Sequence, residues 1–218
     1  MAAAPTGYRD LAPALRHYTP MSDADREKWQ RRYAEGEYEG RTHPTRMLEE
    51  WLGALPRPDG ARALDLACGA GRNAVFLAAR GYRVDAMDIS SVALARGAAT
   101  ARAMGVEVEW IEVDLDDAVL EPGRYDLVVV SRYVNRGLSG AITGALRDGG
   151  HLLYEQHLVT ERDVGGPTSA RFRVAPNELL GMFPGLRVLY YREAMIDDPD
   201  GAAMALAQMI ACKGSPGY

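Results

Sequence analysis

The sequence predicts an α/β fold built on a mostly parallel sheet, and three observations carry that prediction. From residue 61 onward, short apolar runs alternate with helical patterns, which is the signature of repeated β-α-β units. A glycine turn, Cys68-Gly69-Ala70-Gly71, joins the first apolar run to the first helix of the series. Acidic residues (Asp65, Asp88 and Asp114) lie in or at the end of three successive runs.

The elements follow in order. Residues 1–21 are small, polar and proline-punctuated, and are expected to be a flexible N-terminus. Residues 22–58 read as a helical preface. In it Ser22, Asp23 and Asp25 precede a short helix carrying Trp29 and Tyr33. Met47, Leu48, Trp51 and Leu52 then recur at helical spacing, and Pro56 and Pro58 close the second helix. Residues 59–218 form the α/β domain. Strands are expected over 61–67, 82–90, 106–114 and 125–132, helices over 72–81, 91–105 and 138–147. Asp148-Gly149-Gly150 is expected to turn into a strand that begins at His151. A short helix over 176–183 and a hairpin of two strands around 197–201 complete the domain.

Bulk properties restrict the function. The chain has 218 residues, 47% of them hydrophobic and 25% charged, the proportions of one soluble globular domain with an appendage. A formal net charge of −5 gives no general attraction to nucleic acid or anionic membranes, and neither is expected as a partner. Cys68 and Cys212 form no disulfide framework. No apolar run spans a bilayer and the first residues lack a continuous apolar core, so a cytoplasmic location is expected, with no metal.

The segment LDLACGAGRN (64–73) is the most informative. Gly69 and Gly71 let a ligand approach the backbone. Gly69-x-Gly71-x-x-Ala74 alone is a weak dinucleotide signal. Asp65, however, repels a pyrophosphate and suits an ammonium-bearing ligand. Asp88 stands about 20 residues past the glycines, where a ribose-binding acid belongs. Asp114 suits an adenine amino group, with Leu115 and Ile89 on either side of the ring. The three acids mark one rim, outside the carboxyl ends of the strands.

DLACGAGRN, AMDIS, VDLDD, YDLVVVSRY and LRDGGHLLYE follow in the order found in class I S-adenosylmethionine (SAM)-dependent methyltransferases. The resemblance runs over residues 61–212. The preface resembles the bacterial branch that includes tellurite-resistance and thiopurine methyltransferases. The resemblance implies a Rossmann-like, doubly wound, seven-stranded sheet with a reversed last strand. It also implies SAM as cofactor, with S-adenosylhomocysteine (SAH) as product. Asp65, Gly69 and Gly71 would line the methionine end and Asp88 would hold the ribose, with Ala67, Asn73, Ile89 and Ser90 also among the cofactor-binding residues. Asp114 and Leu115 would hold the adenine, and Ser131 would lie near the transferred methyl. Ser131-Arg132-Tyr133 replaces any Asn-Pro-Pro-Tyr-like segment, which argues against N-methylation of DNA bases or glutamine side chains.

Around the acceptor the expected residues are His157, Tyr133 and Arg136 as catalytic groups, with Arg132, Asn135 and Glu155 beside them. Trp29 and Tyr33 are read either as packing of the preface or as part of a lid. His157 and Glu155 lie two apart and share a face; His157 is read as a base or as a structural histidine. Cys68 is read as a small packed residue in preference to a nucleophile. Arg171 and Arg173, in a segment read as mobile, could meet an anionic acceptor. The expected activity is methyl transfer to a small-molecule acceptor at S, N or O, with thiols and chalcogens favoured. A non-catalytic SAM-binding subunit is the alternative, and a nicotinamide-dependent reductase a lesser one. Monomer and homodimer stay open.

Overall fold

Residues 125–131 read YDLVVVS, an unbroken apolar run, because the strand they form is covered on both faces. In the computed structural model, which describes residues 23–198 and 201–215, this strand lies at the centre of a seven-stranded sheet. The expected flexible segment 1–21 lies outside the described residues. The strands are β1 (Arg62–Leu66), β2 (Arg83–Asp88), β3 (Glu109–Glu112), β4 (Tyr125–Ser131), β5 (Leu146–His157), β6 (Leu186–Asp197) and β7 (Ala203–Lys213). Their order is β3-β2-β1-β4-β5-β7-β6. The first five pair in parallel, and β7 runs antiparallel between β5 and β6. The doubly wound α/β sheet with its reversed last strand is therefore present.

Alternation on the central strands divides the core into two layers. Leu64, Val128, Val130 and Leu152 face one cluster with Ile142, Leu179 and Phe183. Ala63, Leu127, Val129 and Leu153 face the other, with Phe76 and Leu77. Helices α3 (Arg72–Ala78) and α4 (Ser91–Met104) follow β1 and β2, and the short helices α5 (Ser139–Ala145) and α6 (Glu178–Met182) flank β5 and β6 in sequence. The Ser90 hydroxyl caps α4 by accepting from the Ala93 N–H at 3.2 Å. Gly105, at φ +67, ends it.

Two elements differ from expectation. Asp148-Gly149-Gly150 lies inside β5, which begins at Leu146, and the register against β4 shifts between Tyr125 and Leu127. A β-carbon on Gly150 would stand 2.9 Å from the Tyr125 carbonyl, so the glycines make an irregularity within the strand. The third strand spans only 109–112 of the expected 106–114, because it is the sheet edge and its ends lack a neighbour.

The preface divides in two. Helix α2 (Arg46–Trp51) buries Met47 and Leu48, which with Leu52 and Leu55 belong to the core on the α3 side. Each such side chain contributes about 1.5–3 kcal/mol by burial. Helix α1 (Asp23–Ala34) has no buried residue. It is tied by polar contacts: Gln30 donates to Ser91 at 2.9 Å and accepts from Ser90 at 3.0 Å. No helix of the described residues is long and apolar enough to cross a membrane.

Candidate active site

Strand order reverses between β1 and β4, so the loops after these strands leave in opposite directions and open a crevice at their carboxyl ends. A cavity of about 620 Å³ lies there. Loops after all five parallel strands line it, and α1 covers it. Three non-glycine residues with positive φ stand on its wall, Tyr38 (φ 68) after α1, Ala67 (φ 53) after β1 and Arg132 (φ 60) after β4. Backbone strain of this kind is held where the surrounding structure over-determines it, as at ligand sites.

Asp88 organises the glycine loop. Its carboxylate accepts from the Gly69 N–H at 2.8 Å and from the Ser90 N–H at 2.9 Å. Burial raises its pKa, and the N–H groups of Ser90, Gly69 and Ile89 oppose that rise. Asp88 and Asp114 both line the cavity, with Ile89 and Leu115 beside them. Asp114 accepts from the Asp116 N–H at 3.0 Å and meets Arg26 at 3.6 Å. Ala67, Gly69, Asn73 and Ser131 also reach the wall, and the buried Ser131 hydroxyl has no partner among the described residues.

Other expected cofactor residues lie elsewhere. Asp65 does not line the cavity; it is buried behind the loop, near the Ala74 N–H, with one oxygen unpartnered among the described residues. Burial pushes its carboxyl up to about 7. Gly71 admits Trp110 in place of a ligand, since a β-carbon there would stand 2.2 Å from the indole ring. Ser90 is spent on the α4 cap and on Gln30. Asn73 also ties the preface down, its side-chain oxygen accepting from the Thr45 N–H at 2.9 Å.

Around the acceptor end, Arg132, Tyr133, Arg136 and His157 line the cavity, but Asn135 and Glu155 do not. Asn135 donates to Asp116 at 2.8 Å and accepts from the Gly137 N–H at 2.9 Å, so it shapes the loop. Glu155 is ion-paired to Arg132 at 3.0 Å and accepts from Gln208 at 2.6 Å. Of these two residues on one face of β5, only His157 reaches the cavity, while the Glu155 carboxylate is taken by Arg132 and Gln208. Arg136 is held by Glu178 and by the Arg173 carbonyl at 3.0 Å. The His157 imidazole is held neutral, its pKa lowered to about 3 by burial first and then by Arg132, Arg173 and Arg41. Its Nδ1 has no hydrogen-bond partner among the described residues. Burial raises the Tyr133 hydroxyl pKa, and burial followed by Asp65 and Asp88 raises that of the Cys68 thiol. A thiol so protonated is inert as a nucleophile.

From the preface, Asp25, Lys28, Trp29, Arg32 and Tyr33 face the cavity. The Tyr33 hydroxyl presses on the glycine loop, and burial raises its pKa ahead of any charge effect. Arg171 pairs with Asp25 at 2.8 Å and bridges the 166–172 loop to α1. Arg173, by contrast, is buried and donates to the carbonyls of Pro167 and Leu158 at 2.7 and 2.9 Å, which is a structural role. Sequence reading missed Tyr38, Arg41 and Arg72 on the wall. Only Arg72, next to Gly71, stood beside a signal.

Polarity matches SAM. Acids and apolar residues stand after β2 and β3 on this wall, and the Ser131 hydroxyl, without a partner among the described residues, ends β4. Residues 63–150 match the family model described as a methyltransferase domain. Among solved structures, TehB from Haemophilus influenzae is 23% identical with a TM-score of 0.66, over 85% of this chain and 67% of that one. A SAM-dependent methyltransferase from Mesorhizobium loti is 20% identical (TM-score 0.59, 76% of this chain and 96% of that one). One from Methanosarcina mazei is 15% identical (TM-score 0.62, 79% and 99%). These likenesses are of fold. No curated protein matches the chain in sequence.

Proposed function

We propose that the class I SAM-dependent methyltransferase domain of this chain transfers a methyl group to a small-molecule acceptor, with a thiol or chalcogen nucleophile favoured. The observation that carries this reading is the roof over the site. Helix α1 and the 166–172 loop cover a cavity of about 620 Å³, within the roughly 300–1,000 Å³ typical of small-ligand sites.

Bound SAM supplies an electrophilic methyl on a sulfonium, which an acceptor lone pair displaces in line. The chain contributes alignment and dryness. Asp88 holds the ribose hydroxyls while keeping Gly69 in place, and Asp114, Ile89 and Leu115 hold the adenine. Trp29 and Tyr33 close over the methionine end as a lid. His157 lines the acceptor end as a neutral imidazole. With a pKa near 3 it is a poor proton acceptor at neutral pH. Acceptors that ionise unaided, thiols first, therefore suit the site better than alcohols. Cys68 and Cys212 are free and buried, in keeping with a reducing cytoplasm.

Calorimetric titration with SAM, SAH and NADH, followed by acceptor-dependent SAH formation over a thiol panel, tests this. Micromolar binding of SAM and SAH with thiol-dependent turnover is expected. Binding of NADH alone, or turnover only with tRNA or protein, overturns it.

A further inference from the structure

The glycine loop is held from two sides. Ala67 (φ 53), Gly69 (φ 56) and Gly71 (φ 71) take left-handed conformations within five residues. Such backbone persists only where its neighbours over-determine it. On the cavity side, the Asp88 carboxylate accepts from the Gly69 N–H at 2.8 Å. Ala67, Cys68, Gly69 and Ala70 line the cavity, and Gly71 does not.

Behind the loop stands Trp110, a half-buried residue of the edge strand β3, opposite Ala86 of β2. The far edge of its six-membered ring enters a slot between two glycines. A β-carbon on Gly71 would stand 2.5 Å from Cζ3, with Cη2 closer still. One on Gly97 of α4 would stand 2.5 Å from Cη2 and 2.6 Å from Cζ3. A glycine within a helix is unfavourable unless the space of its missing side chain is used, and here the indole uses it. Gly97 also lets α4 approach the loop itself, since its β-carbon would stand 3.0 Å from the Ala70 carbonyl. The same two ring atoms thus brace the loop and α4, which Ser90 caps two residues after Asp88. Trp110 does not line the cavity, so it acts on a ligand only through the loop.

We propose that Trp110 is a positioning residue for the cofactor: its indole, wedged between Gly71 and Gly97, keeps the loop in the conformation that presents Gly69 and Asp88 together to SAM. A ligand then meets a loop already in place, and its affinity is not diminished by ordering it. This deepens the proposed function and rests on it.

The test is a double-mutant cycle on the full-length protein, read by calorimetric titration with SAH and by amide hydrogen exchange of the loop over residues 66–73. Trp110→Phe shortens the ring and empties the slot. It is expected to weaken SAH binding roughly fivefold or more and to speed exchange of the loop. Gly97→Ala, which drives the ring out from the helix side, is expected to do the same. Joining the two changes places a methyl group where the indole edge stood, so the double variant is expected to bind SAH more tightly than either single one. A tryptophan that only packs the core would lower the urea midpoint without these shifts. Either an SAH affinity within about twofold of wild type or unchanged loop exchange in Trp110→Phe overturns the proposal, as do additive effects in the double variant. If Trp110→Phe does not fold, Gly97→Ala supplies both readings. If the wild-type protein does not bind SAH, the methyltransferase reading fails instead, and loop exchange in the variants alone decides whether Trp110 holds the loop.

Discussion

The Tyr33 hydroxyl lies over Gly69, so close that a β-carbon at residue 69 would stand 2.3 Å from the phenolic oxygen. Gly69 also holds φ +56, a conformation that side chains resist. Gly69→Ala is therefore expected to strain the loop and displace α1, weakening SAH binding by tenfold or more. Tyr33→Phe, which keeps the ring, should change SAH affinity less than Tyr33→Ala. Calorimetry on the three variants checks this, and equal effects of Phe and Ala would remove the ring from the lid.

Asp88 anchors the glycine loop and, in the proposed function, also holds the ribose, so removing it should show both effects. Asp88→Ala leaves the Gly69 and Ser90 N–H groups without their acceptor. Each such loss costs about 1–3 kcal/mol when buried. SAH affinity is expected to fall at least tenfold, with a lowered urea midpoint. Unchanged affinity by calorimetry would take Asp88 out of the cofactor site.

Gly97 sits inside α4, where alanine would ordinarily stabilise a helix by about 1 kcal/mol. Here a β-carbon would stand 2.5 Å from the Trp110 ring and 3.0 Å from the Ala70 carbonyl. Gly97→Ala is expected to destabilise by roughly 1–3 kcal/mol through overpacking. A urea midpoint at or above wild type would show that Trp110 can move aside.

Asp65 gives a pH signature in the unliganded protein. Its carboxyl titrates near 7 when folded, against 3.8 ordinarily, chiefly because of burial. Between those values the native state binds more protons than the unfolded one. That contribution is complete below pH 3.8 and is lost as the pH rises through 7. Asp65→Asn, uncharged throughout, should therefore gain on wild type between pH 5 and pH 8, by at most a few kcal/mol. Urea midpoints at both pH values measure the difference. An unchanged gap would mean that Asp65 is already ionised in the native protein.

Much of the fold is legible in the sequence because its signals are local. The run YDLVVVS is apolar at nearly every position since β4 is covered on both faces, and Ser90 and Gly105 bracket α4 because helix ends need a donor's partner and a left-handed residue. The glycine loop and the rim acids Asp88 and Asp114 are legible for the same reason: their place at strand ends follows from chain order. Asp148-Gly149-Gly150 misleads because a bulge and a turn use the same glycines, and only the pairing of β5 with β4 separates them.

What each side chain does at the rim is decided by tertiary neighbours. Glu155, expected beside the acceptor, stays off the cavity wall because Arg132, brought by β4, and Gln208, brought by β7, take its carboxylate. Gly71 serves Trp110 from β3, and Asn73 serves Thr45 from the preface. The sequence alone determined the sheet, its glycine loop and the rim acids, since these follow from periodicity and local backbone need. The tertiary structure decided which charges are paired and which face the cavity, since pairing depends on distances between segments up to 146 residues apart.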